Sequence, residues 1–177
     1  MANRDLQQKA QSIKLVAFDI DGIMTDGRLY FTSMGDEIKA FNVKDGLGLK
    51  LLRDSGVEVA IITGRTSELV NRRARDLKID KLIQGREDKK IALQELMAQE
   101  DLKAEQIAYM GDDLPDLPAI RAAGLGVTVA DAMPIIKQHA DMITQANGGD
   151  GAVREFCDWL MQAQGNLDRV LEPYLRT

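Results

Sequence analysis

Asp19 and Asp21 stand one residue apart at the end of the apolar run Leu15-Val16-Ala17-Phe18, and Gly22 follows at once. On an extended chain, residues two apart share a side, so both carboxylates leave the run at one place. Close carboxylates repel unless a cation lies between or before them, so the pair asks for a metal ion. Further polar residues follow similar runs: Thr63 after VEVAII, and Asp112, Asp113 and Asp116 after IAYMG, while Lys89 opens a helical stretch. Together they supply what phosphoryl transfer from a monoester needs: a carboxylate nucleophile, a second carboxylic acid, hydroxyl and ammonium donors, and acids for a divalent cation. Taken singly, each has an ordinary reading: an Asx turn for Asp19-Ile20-Asp21-Gly22, a cap for Thr63, a solvated charge for Lys89 and a loop for the acids.

The elements that would hold these residues alternate. Apolar runs bounded by turn residues at 15–18, 57–63, 81–83, 107–110, 125–129 and 141–144 read as strands of a parallel sheet. Helical patterns lie between them at 46–55, 68–77, 89–99, 117–123 and 134–139, and another follows at 152–164. Ser67 caps the second of these, and Pro134 sits at the first turn of the fifth. Such alternation predicts an α/β fold, a doubly wound, Rossmann-like parallel sheet in a single domain over residues 1–177. Its ligands would bind at the carboxyl edge of the strands. One departure falls directly after the acidic pair: residues 28–32 and 37–41, joined by Ser33-Met34-Gly35-Asp36, read as a protruding β-hairpin. Residues 1–12 read as a helix or arm, and the polar tail past Gly165 as mobile.

With 177 residues, 45% hydrophobic and 29% charged, the chain suits one well-buried domain. A net charge of −5 without a basic run argues against nucleic acid as a partner. No apolar stretch is long enough for a membrane span, and the polar N-terminus lacks a signal-peptide core, so a cytoplasmic location is expected. Cys157 is the only cysteine, which excludes an internal disulfide, and its apolar helical setting reads as packing. His139 is the only histidine and reads as a surface residue, so triads and His-ligated zinc have little to build on.

The order FDIDG, ITGR, Lys89, GDDLPD resembles the haloacid dehalogenase superfamily of phosphohydrolases, over residues 15–116. The resemblance implies that Asp19 is the nucleophile, forming an aspartyl-phosphate, and that Asp21 protonates the leaving alcohol and then activates water. It implies that Thr63 and Lys89 hold the phosphoryl oxygens. Mg²⁺ would take Asp19, the backbone carbonyl of Asp21 and Asp112, with Asp113 and Asp116 behind them. Most members add a cap domain after the acidic pair or between Thr63 and Lys89, and neither interval here has room for one. FDIDGIMTDGRLYF, KAFNVKDGLGLKLL, AIITGR, IAYMGDDLPDLP and GGDGAVREFCDWLMQAQG are similar to the capless family that acts on 3-deoxy-D-manno-octulosonate 8-phosphate. That family implies a cytoplasmic homotetramer serving lipopolysaccharide biosynthesis, with hairpins packed together and each site finished by a neighbour. It also assigns substrate contacts to Asn42, Lys44, Gly46, Lys50, Arg65 and Arg73. Arg is the more usual residue where this chain has Lys44, and an ammonium has no bidentate fork for a carboxylate.

The same residue types admit other readings. A phosphatase for another sugar acid, such as N-acylneuraminate 9-phosphate, would use the same residues. A two-component receiver domain also combines acids, a Thr and a Lys, but it holds a phosphoryl group as a signal. Its acceptor Asp ends a later strand, and it lacks a second Asp two residues on. A non-catalytic scaffold would leave catalytic positions unfilled, and none is unfilled here.

Overall fold

The computed structural model describes residues 2–176. In chain order the elements begin with α1 (Ala2–Ser12) and β1 (Leu15–Phe18), then the hairpin strands β2 (Tyr30–Phe31) and β3 (Glu37–Ile38). Next come α2 (Val43–Asp54), β4 (Glu58–Ile62), α3 (Glu68–Leu77), β5 (Lys81–Ile83), α4 (Lys89–Gln99) and β6 (Ile107–Met110). The chain continues through α5 (Leu117–Ala122), β7 (Leu125–Thr128), α6 (Pro134–Lys137), β8 (Met142–Ile143), α7 (Ala152–Ala163) and α8 (Leu167–Leu175).

Six strands form a parallel sheet in the order β5-β4-β1-β6-β7-β8, so the strand carrying the acids lies inside it. The chain winds outward through β4 and β5, then crosses to the other side of β1 for β6, β7 and β8. That reversal beside β1 is the switch point at which open α/β sheets bind ligands. Right-handed crossovers put α2 and α3 on one face and α4 and α5 on the other. β1, β6 and β7 are buried at every position, which is why they read as unbroken apolar runs. α2 and α7 pack together, and at Gly48 a Cβ would press on the Arg154 backbone.

Several boundaries differ from expectation. α2 begins at Val43, not Gly46, because the Asn42 side chain accepts the Lys44 N–H at 2.8 Å and caps the helix. Buried Asp45 then accepts the Arg154 N–H at 2.9 Å and ties α2 to α7. The hairpin has its expected turn, with the Thr32 N–H on the Asp36 carbonyl at 2.9 Å and Gly35 at φ 90. Its strands, however, are only two residues each. Phe41 leaves the ribbon and packs partly against the core, as does Leu82 of β5. Along α4, Ala92, Leu93 and Leu96 carry the buried face, and Ile91 is half exposed. The tail after Gly165 is not a loose end. It folds as α8 because Leu167, Val170 and Leu171 recur on one face and meet the core, with Val170 buried. Cys157 is buried and His139 exposed, just beyond α6. No helix among the described residues is long and apolar enough to cross a membrane.

Candidate active site

The nucleophile candidate follows β1 so closely that the ladder still holds it: the Asp19 N–H donates to the Met110 carbonyl of β6 at 3.0 Å. The chain then folds back on itself. Three amides, of Ile23, Met24 and Thr25, converge on the Ile20 carbonyl at 2.9–3.2 Å, and Gly22 supplies a φ of 94 that other residues rarely adopt. Gly22 is required for a second reason, since a Cβ there would overlap the Asp112 carboxylate. Buried Thr25 bonds within the loop to Ile20, Gly22 and Gly27. Gly148 and Gly149, arriving from the far end of the sheet, lie so close that any side chain would strike the Gly22 carbonyl and the Thr25 backbone.

Lys89 begins α4 and is almost fully buried, with its ammonium 2.9 Å from Asp19 Oδ1 and 2.7 Å from Asp116 Oδ1. Burial opposes its charge, but the two carboxylates outweigh burial and hold its pKa above the usual value. Asp116 is saturated. Its Oδ1 also accepts the buried Tyr109 hydroxyl at 2.7 Å, and its Oδ2 accepts the Asp112 and Asp113 N–H groups, both at 3.2 Å. Gly111 permits this, because a Cβ there would overlap Asp116. Asp113 accepts the Leu114 N–H at 2.7 Å and caps the turn that carries Asp116.

Asp112 is the acid left over. Its Oδ1 is buried without a hydrogen-bond partner. Burial, then the charges of Asp116 and Asp19, push its pKa to about 8. Burial and Asp116 likewise push Asp19 to about 7, against the pull of Lys89. Carboxylate oxygens of Asp19, Asp112 and Asp116 lie within 4.8 Å of one another. Because Asp116 has no oxygen to spare, Asp19 and Asp112 are the pair with capacity for a cation. An all-oxygen set with an orphaned carboxylate fits a hard divalent ion such as Mg²⁺.

A cavity of about 440 Å³ opens over these groups, lined among others by Asp19, Asp21, Thr63, Arg65, Lys89 and Asp112. Thr63 is buried and fixed by β5: its N–H donates to the Ile83 carbonyl at 2.9 Å, and its carbonyl accepts the Arg86 N–H at 3.2 Å. Asp21 turns away from the acid cluster and pairs with the Lys39 ammonium, which the hairpin delivers.

Residues 81–156 match the haloacid dehalogenase-like hydrolase family. A 3-deoxy-D-manno-octulosonate 8-phosphate phosphatase of Escherichia coli (strain B / BL21-DE3) is 47% identical over 164 residues, 93% of this chain and 87% of that relative. The chain belongs to this phosphatase family. A crystal structure of the same phosphatase from Moraxella catarrhalis, in complex with magnesium ion, phosphate ion and a KDO molecule, is 46% identical and superposes with a TM-score of 0.95 over 97% of this chain and 98% of that one. A probable YrbI family phosphatase from Pseudomonas syringae pv. phaseolica 1448a is 53% identical, with a TM-score of 0.96 over 98% and 99% of the two chains.

Within this phosphatase fold, the residues expected to contact substrate fall into two groups. Arg65 lines the cavity, whereas Asn42, Lys44, Gly46, Lys50 and Arg73 lie outside its lining. Asn42 caps α2, and Lys44 and Lys50 are exposed on that helix. Arg73 lies over the Phe41 ring at 5.4 Å and donates to the Asn42 carbonyl at 3.1 Å, a position open only because residue 46 is glycine. Among polar residues that sequence reading passed over, Lys39, Glu37 and Tyr109 stand out. The alternation of Glu37 and Lys39 about Ile38 was the one available signal.

Proposed function

We propose that this chain is a Mg²⁺-dependent phosphatase that hydrolyses 3-deoxy-D-manno-octulosonate 8-phosphate to the free sugar acid and phosphate. The observation that carries the reading is the Lys89 ammonium bridging Asp19 and Asp116 beneath a cavity in which Asp112 keeps an unpartnered oxygen. Asp19, whose anionic form Lys89 favours, attacks phosphorus and becomes the aspartyl-phosphate. Asp21 gives its proton to the ester oxygen as the P–O bond to the sugar breaks. It then takes a proton from the water that releases phosphate, a dual role worth about 10²–10⁴ in rate. Thr63 and Lys89 donate to phosphoryl oxygens, and Asp116, aided by Asp113, keeps Lys89 in place. Mg²⁺, held by Asp19, Asp112 and the Asp21 backbone carbonyl, would offset the phosphoryl charge.

The protein works as a cytoplasmic homo-oligomer, a tetramer by the family's precedent, in lipopolysaccharide biosynthesis. Leu29, Phe31, Met34 and Ile38 are 47–87% exposed on the hairpin, an apolar surface suited to burial against copies of itself. Lys44, Lys50 and Arg73, outside the cavity of their own chain, serve a neighbouring subunit's site together with Asn42 and Gly46.

Phosphate release across a panel of sugar phosphates, with Mg²⁺ and with a chelator, tests the reading. The eight-carbon sugar acid phosphate should be hydrolysed best, and only with the metal. Faster turnover of N-acylneuraminate 9-phosphate would reassign the substrate. Absence of turnover on every ester would return the chain to the receiver or scaffold class.

A further inference from the structure

The hairpin has almost no apolar contact to hold it at the catalytic edge, since its large side chains face solvent. Charge holds it instead. β3 is extended, so Glu37 and Lys39, two residues apart, point to one side while Ile38, 53% exposed, points to the other. Both charges therefore face Asp21 and Arg65, two residues that line the cavity. Lys39 Nζ pairs with Asp21 Oδ1 and lies 3.7 Å from Glu37 Oε1. Arg65 Nη2 lies 2.7 Å from the same Glu37 oxygen, and Arg65 Nε is 3.8 Å from Asp21 Oδ2. The Ser67 hydroxyl donates to Glu37 Oε2 at 3.3 Å. Asp21, Lys39, Glu37 and Arg65 thus close a ring of alternating sign. The Lys39 side chain is only 2% exposed, and an ammonium so far removed from water must keep its carboxylate partners.

We propose that Lys39 is a positioning residue for the proton-transfer step. Through the ring it fixes the Asp21 carboxylate in the rotamer that meets the leaving oxygen, and it does so only while the hairpin is docked. Oδ1 is taken by Lys39, and Oδ2 is 3.8 Å from its nearest cation, so Oδ2 is the oxygen that exchanges the proton. Arg65 shares in this, because its fork is engaged by Glu37 before any substrate arrives. The proposal rests on the reading of Asp21 as acid and base.

The test compares kcat/KM, which reports phosphoryl transfer to Asp19, for the sugar phosphate and for p-nitrophenyl phosphate, whose phenolate leaves without a proton. In Lys39→Met, kcat/KM for the sugar phosphate should fall by about tenfold or more through kcat, while the aryl phosphate changes by less than about threefold. Lys39→Arg, which restores the charge, should recover much of the loss. Equal losses on both substrates, or a rise in KM alone, would overturn the proposal. Asp21→Asn is measured alongside. If it discriminates between the substrates and Lys39→Met does not, only the ring proposal fails. If Asp21→Asn itself does not discriminate, the acid/base reading fails first. Should Lys39→Met not fold or assemble by circular dichroism and light scattering, Glu37→Gln keeps both Lys39 and Asp21 and breaks the ring elsewhere. It should show the same selectivity at about threefold, and its absence counts against the proposal.

Discussion

Replacing Asp116 by Asn and Asp112 by Asn should move the stability of the metal-free protein in opposite directions, although the two acids face the same cluster. Asp116 is 1% exposed and accepts four hydrogen bonds, two on each oxygen. An amide has one acceptor oxygen, so whichever way it sits, its NH₂ faces two donors. Two bonds to a charged group are lost at about 1.5–3 kcal/mol each, and Lys89 loses half its counter-charge. A net loss of about 3–5 kcal/mol is expected, in the range of a broken buried pair, lowering Tm by about 10 °C for a chain of this size. Asp112 is the reverse case. Its carboxyl is raised from 3.8 to about 8, by burial first and then by the charges of Asp116 and Asp19. The folded state therefore holds a proton that the unfolded chain has released, and stability falls as pH rises from about 4 to about 8. Allowing for its partial exposure and its neighbour Asp19, removing the charge should gain about 1–3 kcal/mol near pH 8 and nothing near pH 4. Urea unfolding in chelator at both pH values measures this. Excess Mg²⁺ at a hundred times its Kd should then restore about 2.7 kcal/mol to the wild type, much less to Asp112→Asn, and should leave the Asp116→Asn deficit in place. Destabilisation by Asp112→Asn in chelator near pH 8, or an unchanged Asp116→Asn, would refute the division of these acids into cation holder and lysine anchor.

Asp19→Asn keeps the size of the side chain but cannot form the aspartyl-phosphate, so turnover should fall below about a hundredth of wild type with the fold intact; higher activity in a phosphate-release assay would remove Asp19 from its role. Arg65→Ala should raise KM for the sugar acid phosphate and change hydrolysis of a small aryl phosphate far less; equal losses would mean that Arg65 serves only the phosphoryl group or the fold. Phe31→Asp with Ile38→Asp alters residues 62% and 53% exposed in the single chain, so it should cost little folding stability yet split the assembly to monomers by light scattering. That monomer should keep some aryl phosphatase activity but lose most activity on the sugar phosphate. A wild-type mass equal to one chain, with full activity, would defeat the oligomer reading.

The amino-acid sequence by itself determined the sheet, its edge and the residues delivered there. Asp19, Thr63 and Asp112 each follow an apolar run, and parallel strands bring all their carboxyl ends to one side, so position along the chain already implied proximity in space. Lys89 was legible as the first residue of a helical pattern, and α4 begins there. Only the tertiary structure decided how those groups are held. Asp116 is filled by a lysine, a tyrosine and two amides, leaving Asp112 as the acid with capacity; the family resemblance had already set Asp112 before Asp116, but no spacing rule within GDDLPD gives that division or its cause. Asn42 is a helix cap, Gly148 and Gly149 back the acidic loop, and the last turns pack as α8 where a polar tail was expected. The ring joining Asp21, Lys39, Glu37 and Arg65 spans separations of 18 and 28 residues and depends on the angle at which a two-stranded ribbon leaves the sheet. Periodicity records which side of its own element a residue faces, because that is set by local backbone geometry. Which other segment it meets there depends on how the elements pack, and packing is a property of the whole chain.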